Sequence, residues 1–94
     1  MDYSVFDKIR SGDRRIARFW AHALYTSLKD VLTGNSSNHY FARDFLSSPQ
    51  EEQIVYVSQT IDALKHWLVG FENHAKRLRE YATKYFKLEY DLLP

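Results

Sequence analysis

Cysteine is absent from the 94 residues of this chain, and the helix-breaking residues are scarce, with three glycines and two prolines. A chain without cysteine forms no disulfide, no thiolate nucleophile and no cysteine-based zinc site, and needs no oxidising compartment, so we expect a cytoplasmic location. No apolar run reaches the 18 residues of a membrane span, and no basic segment followed by an apolar stretch marks a signal peptide. We therefore expect no membrane among the partners of this protein.

The residues that are present describe a foldable helical chain. Hydrophobic residues make up 45% and aromatic residues 16% of the sequence, which is typical of a globular protein and not of a disordered one. No alternating strand pattern, internal repeat or low-complexity tract occurs. Since one core is all that a chain of this length builds, we expect a single all-α domain over residues 1–94.

A heptad pattern dominates the second half of the chain. Apolar residues recur there at alternating spacings of three and four, as in the seam of a coiled coil. The seam residues that we expect to form the core or a dimer interface are Ile54, Val57, Ile61, Leu64, Leu68, Phe71, Leu78 and Tyr85, with Ala75 and Ala82 between them.

The seam predicts one long C-terminal helix, from about residue 49 to about residue 88. Ser48, Pro49 and Glu51 resemble a capping box that opens it. Such a helix is roughly 60 Å long and exceeds a compact protomer of this size, so we expect a helical hairpin that assembles as an antiparallel helical-bundle homodimer. The alternative is a break at Gly70, which gives two helices in a monomeric four-helix bundle.

The first half predicts shorter helices. Asp13 is a candidate N-cap for a helix that ends at Gly34, with an apolar stripe of Ile16, Phe19, Trp20, Ala23, Leu24, Leu28, Val31 and Leu32. We also expect a brief helix near residues 3–10, a polar turn over residues 35–38 and a short helix over residues 39–46 with Phe41 and Phe45 on one side.

Charge is segregated although the net charge is only +1. Residues 8–18 and residues 76–87 each carry +4, and the stretch between them carries −3. If the helix near residues 13–33 packs antiparallel on the long helix, the two basic zones merge into one patch that suits DNA or RNA phosphates. The candidate residues for this nucleic-acid or other anionic partner are Arg14, Arg15, Arg18, Lys76, Arg77, Lys84 and Lys87.

One pair of residues resembles a known enzyme motif. Arg15 and His22 are spaced as R-x6-H, which resembles the R-x4-6-H pattern of the HEPN ribonucleases, in which an arginine and a histidine act together on RNA. The resemblance covers these two residues and implies an RNA-cleaving activity as a remote alternative.

No other spacing predicts chemistry. The four histidines form no metal-binding motif, Asp62 and His66 are expected to be an exposed pair, and no glycine-rich phosphate loop or nucleophile motif occurs. We therefore expect no catalytic residue, metal or cofactor. The function that we expect is that of a small, non-enzymatic interaction or regulatory protein, a homodimer that binds a larger protein partner. A nucleic-acid-binding dimer is the alternative.

Overall fold

The structure is a computed structural model that describes residues 1–35, 39–89 and 92–94, without the side chain of His39. Within these ranges the chain forms α-helices and no strand, which confirms the predicted all-α class. The helices are α1 (Ser4–Ile9), α2 (Arg14–Leu32), α3 (His39–Ser47), α4 (Gln50–His66) and α5 (Glu72–Phe86). No helix in the described part is long and apolar enough to cross a bilayer.

The start of α2 forms as its sequence predicts. One carboxylate oxygen of Asp13 accepts hydrogen bonds from the backbone N–H groups of Arg15 and Ile16, at 3.0 and 3.1 Å. Two of the N–H groups that a helix start leaves unpaired are thereby satisfied. The helix ends at Leu32, and the predicted Gly34 follows its C-cap, Thr33, with a φ of +80°.

The buried face of α2 differs from the predicted stripe. Ile16 and Phe19 are exposed, and Ala17, Ala21 and Tyr25 are buried in their place, together with the predicted Leu24, Leu28, Val31 and Leu32. Small residues at positions 17 and 21 let the backbone of α2 approach its neighbours closely. The stripe was wrong in its first turns because hydrophobicity alone does not distinguish a buried alanine from an exposed phenylalanine.

Helices α1 and α3 form where the sequence predicts short helices, but the capping box predicted between α3 and α4 does not form. Phe41 and Phe45 stack with ring centroids 6.0 Å apart. The predicted capping box is wrong, because the hydroxyl of Ser48 donates to the backbone carbonyl of Asp44 at 2.8 Å and so caps the end of α3. Helix α4 begins behind Pro49 without a side-chain cap. The polar turn predicted over residues 35–38 lies mostly outside the described residues.

The single helix predicted over residues 49–88 is wrong. Helix α4 ends at His66, five residues form a turn, and α5 begins at Glu72. Gly70 reverses the chain with a φ of +92°, a left-handed conformation that favours glycine. The longest dimension of the molecule is 34 Å, so a 60 Å rod has no place in it. The alternative break at Gly70 is the one observed.

The predicted seam is the core of the protomer itself. Val57, Ile61, Leu64, Phe71 and Leu78 are buried, and the other members, Ile54, Leu68 and Tyr85, are partly buried against them. Because the turn folds α5 back against α4, each half of the seam covers the other, and α2 packs on both helices. The seam residues therefore lie in or against the core of the protomer, and helices of the same chain cover them.

Candidate binding groove

A groove opens where the connection from α1 to α2 meets the turn from α4 to α5. Its volume is about 470 Å³, which lies within the range of ligand pockets. The residues that line it are Ile9, Arg10, Gly12, Asp13, Arg14, Ala17, Arg18, Trp67, Leu68 and Val69. Apolar side chains and backbone therefore form most of the surface, with three arginines among them.

Arg18 holds the two sides of the groove together. Its Nη1 donates to the backbone carbonyl of Val69 at 3.1 Å, and its guanidinium lies 5.2 Å from the centre of the Phe71 ring. A backbone carbonyl in the turn that follows a helix has no helical hydrogen-bond partner. The bond from Arg18 satisfies the carbonyl of Val69. Arg18 thereby fixes the turn at Gly70 against the first turns of α2.

Arg10 also lines the groove and lies near two aromatic rings. Its guanidinium is 5.8 Å from the ring centre of Phe6 and 5.8 Å from that of Trp67. Contacts of this kind fix the guanidinium and leave its N–H groups free to bind a ligand. No ion pair joins Arg10, Arg14 or Arg18 to a carboxylate within the described ranges. The groove thus contains cations without an internal counter-charge beside them.

Two large apolar side chains of the turn are exposed at the groove. Val69 is 83% exposed and Trp67 57% exposed, and both line the groove. Ile16 and Phe19 are also exposed, but at about 100° per residue they lie on the side of α2 that faces away from its groove-lining residues. Exposed apolar residues that adjoin a groove indicate an interaction surface. We call the surface formed by the residues that line the groove the end face.

The predicted basic residues lie at different positions along α2 and α5. Arg14 and Arg18 line the groove, and Arg15 is exposed beside them in the first turn of α2. Arg18 contacts Phe71 at the start of α5, so Lys84 and Lys87, at the other end of α5, lie about 20 Å away along its axis.

The middle of α5 carries the other predicted basic residues on two flanks. Lys76 lies with Lys65 and Arg79 at a separate recess of about 100 Å³ beside α4. Arg77 lies near His74, and its positive charge lowers the pKa of that histidine. Of the predicted binding residues, Arg14 and Arg18 are therefore the ones that line the groove of the end face.

A histidine pair joins α2 to α5 beside the end face. The rings of His22 and His74 are 6.3 Å apart, and the ring of His74 also contacts Tyr25 and Phe71, at 4.5 and 4.8 Å. Burial, and then the positive charges of His22 and Arg77, lower the pKa of His74 below its ordinary value. The Nδ1 atom of His74 and the hydroxyl of Tyr25 are buried with no hydrogen-bond partner in the described part of the chain. His74 is therefore favoured in its neutral form.

The remaining candidate residues lie apart from the groove. Arg15 and His22, the pair that resembles the HEPN motif, are both exposed on α2 and lie two turns apart. Asp62 and His66 form the expected exposed pair, with 3.6 Å between Nε2 and Oδ1. In residues 1–35, 39–89 and 92–94 no three histidine or acidic side chains are grouped closely enough to hold a metal ion.

Sequence reasoning missed the apolar half of the groove. Trp67 and Val69 lie outside the seam positions, and next to Gly70 they form a short apolar run that a continuous helix would leave exposed. This apolar run next to a glycine was the feature of the sequence from which a turn could have been predicted.

Comparison with protein-family models, with curated proteins and with solved structures finds no match to this chain. Function is therefore argued from the groove itself.

Proposed function

We propose that this protein is a small, non-enzymatic interaction protein that binds a larger protein partner through its end face. The observation that carries the proposal is the exposure of Trp67 and Val69 beside a groove in a protein whose other large side chains mostly pack into one core. Exposed aromatic and arginine side chains around a concavity are the usual anchors of protein interfaces.

Affinity capture from the native host with matched surface variants tests this function. Trp67→Ser with Val69→Ser removes exposed apolar side chains from the groove, and Leu46→Ser with Val55→Ser removes two exposed apolar side chains from α3 and α4. We expect the first pair to lose the partner and the second pair to retain it, with unchanged circular dichroism in both. Capture that is the same for both pairs would refute the proposal.

The homodimer expected from the sequence stays a prediction, but its reason has changed. The seam that was predicted to pack against a second copy is covered within the protomer, so a dimer would have to use another surface. Light scattering measures this directly, since one chain has a mass of 11.2 kDa. The proposed function needs one copy with a free end face, and a dimer that buries Trp67 would contradict it.

Single-stranded nucleic acid is a second candidate, favoured by Arg10, Arg14 and Arg18 beside an exposed indole. Arginines bind phosphates and an indole stacks on an unpaired base. If this candidate is right, Arg14→Glu should abolish binding of a labelled uridine oligonucleotide at low salt, whereas Arg77→Glu with Lys84→Glu should leave it. The reverse result would favour the basic patch predicted from the sequence.

The HEPN-like ribonuclease stays a prediction that rests on the spacing of Arg15 and His22. Its test is whether His22→Ala abolishes any cleavage of RNA by the purified protein, and an unchanged rate would exclude it.

A further inference from the structure

We propose that the groove binds a short acidic segment of the partner protein, with one apolar side chain inside the groove and carboxylates on Arg10, Arg14 and Arg18. This inference rests on the proposed function and specifies the chemistry of the partner.

The size of the groove limits what enters it. A volume of about 470 Å³ is in the range that holds a small ligand, which corresponds to one or two large side chains and not to a whole helix. The floor contains Ile9, Ala17 and Leu68, which offer no strong hydrogen-bonding side chain. An apolar side chain is therefore the part of a partner that fits inside.

The charges of the groove determine which residues of the partner can flank its apolar side chain. Three arginines and one aspartate line it, a net charge of +2. The aspartate is Asp13, and its Oδ1 already accepts two N–H groups of α2. A guanidinium binds a carboxylate with two parallel hydrogen bonds, and such charge-assisted bonds are stronger than neutral ones. Acidic residues next to an apolar one complement this arrangement.

Two of the three arginines already have contacts within the protein before a ligand arrives. Arg10 lies near the rings of Phe6 and Trp67, and Arg18 is bonded to the carbonyl of Val69. Side chains that are fixed in advance lose less conformational entropy on binding, so more of the contact energy becomes affinity. Arg14, in the first turn of α2 without such a contact, remains the most adaptable of the three.

A peptide fits the end face better than a nucleic acid does. A strand of nucleic acid needs cations spaced along its backbone, and Lys84 and Lys87 are about 20 Å from Arg18 along α5. The lining of the groove also includes the exposed aliphatic side chain of Val69, which suits apolar side chains of a protein. Arg10 lies over one face of the Trp67 ring, so a base would have to stack on the other face.

Selection from a displayed library of random twelve-residue peptides tests the inference on the whole chain. We expect the selected peptides to combine aspartate or glutamate with leucine, isoleucine or phenylalanine. Their binding, measured by fluorescence anisotropy, should weaken at least about tenfold in Arg14→Glu, as the loss of one charge-assisted contact predicts. Arg43→Glu makes the same change at an exposed position of α3 and should leave the affinity unchanged.

A second readout locates the peptide. In a Trp20→Phe background the tryptophan fluorescence, excited selectively over that of the tyrosines, comes from Trp67 alone, because the chain has two tryptophans. A bound peptide should shift its emission to the blue. Folding of Arg14→Glu is checked by circular dichroism. An acidic residue in the first turn of a helix is favourable, so we expect this variant to fold.

The outcomes separate the inference from the function on which it rests. Selected peptides without acidic residues, or equal binding by Arg14→Glu, would overturn the acidic ligand even if partner capture still depended on Trp67 and Val69. Loss of that dependence would overturn the proposed function itself. Binding of a uridine oligonucleotide in place of peptides would replace the acidic segment by nucleic acid.

Discussion

Gly70→Ala distinguishes a continuous C-terminal helix from the observed turn between α4 and α5. The substitution should stabilise the protein in the first case and destabilise it in the second. In one continuous helix, alanine is more favourable than glycine by about 1 kcal/mol. In the structure, Gly70 has a φ of +92°, and a left-handed backbone costs an alanine about 1–2 kcal/mol. The sign of the change therefore distinguishes a rod from a turn.

The magnitude follows from the surroundings of Gly70. A Cβ atom there would meet Nη1 of Arg18 at 4.0 Å, an ordinary contact, so the cost comes from the backbone and not from a clash. Alanine also restricts the unfolded chain, which returns about 0.4–1 kcal/mol. We expect a net loss of about 1 kcal/mol, which for a domain of this size lowers the melting temperature by about 4–8 °C.

Thermal and urea unfolding followed by circular dichroism at the helix band measure this loss. Gly34→Ala is the matched control, because Gly34 has a φ of +80° behind α2 and open space at its Cβ position. Both descriptions place Gly34 after the end of a helix, so the control should lose stability in either case. A Gly70→Ala variant that melts higher than the parent, while Gly34→Ala melts lower, would refute the turn.

Three further substitutions test the packing around this turn and the core behind it. The pKa of His74 is lowered in the folded state, so its contribution to stability is complete above the ordinary value near 6.5 and is lost as the pH falls below it. Urea midpoints at pH 8 and pH 5.5 should therefore differ less in His74→Phe than in the parent, and an equal difference would contradict the lowered pKa. Leu78→Ala, at a fully buried position, should cost about 2–5 kcal/mol in urea unfolding, and a cost below 1 kcal/mol would contradict its place in the core. Gln53→Leu removes the side-chain amide that donates to the carbonyls of Phe45 and Ser48, at 2.7 and 3.1 Å, and should cost about 1–3 kcal/mol by calorimetry, whereas an unchanged melting temperature would show that these carbonyls find other donors.

Local signals explain what the sequence predicted correctly. Asp13 satisfies N–H groups within three residues of itself, and Gly34 ends the same helix by its own φ. Both effects depend on neighbours in sequence, so they are visible without the fold. The same holds for the seam, because positions that repeat every three and four residues share a face of whichever helix they lie on.

The turn at Gly70 was not predictable from periodicity. Leu68 and Phe71 are three residues apart, which is the spacing that a continuous helix requires, although a turn separates them. When α5 folds back on α4, both helices direct their apolar faces to the same core, so the pattern continues in phase across the turn. The turn is held by a local contact, in which the N–H of Gly70 donates to Oε1 of Glu72 at 3.3 Å, and by a tertiary one, in which Arg18 of α2 donates to the carbonyl of Val69. The tertiary contact is not visible in the sequence.

The same turn accounts for the candidate site, because it brings the end of α4 to the start of α2. In a continuous rod Trp67 and Val69 would be isolated apolar residues on an exposed helix surface, with no groove between them and Arg10. The reversal places them opposite three arginines across a space of about 470 Å³. Gly70→Ala should therefore weaken peptide binding as well as stability, since it strains the segment that carries Trp67 and Val69. A variant that binds peptide with unchanged affinity while losing about 1 kcal/mol of stability would show that the groove does not depend on the geometry of this turn.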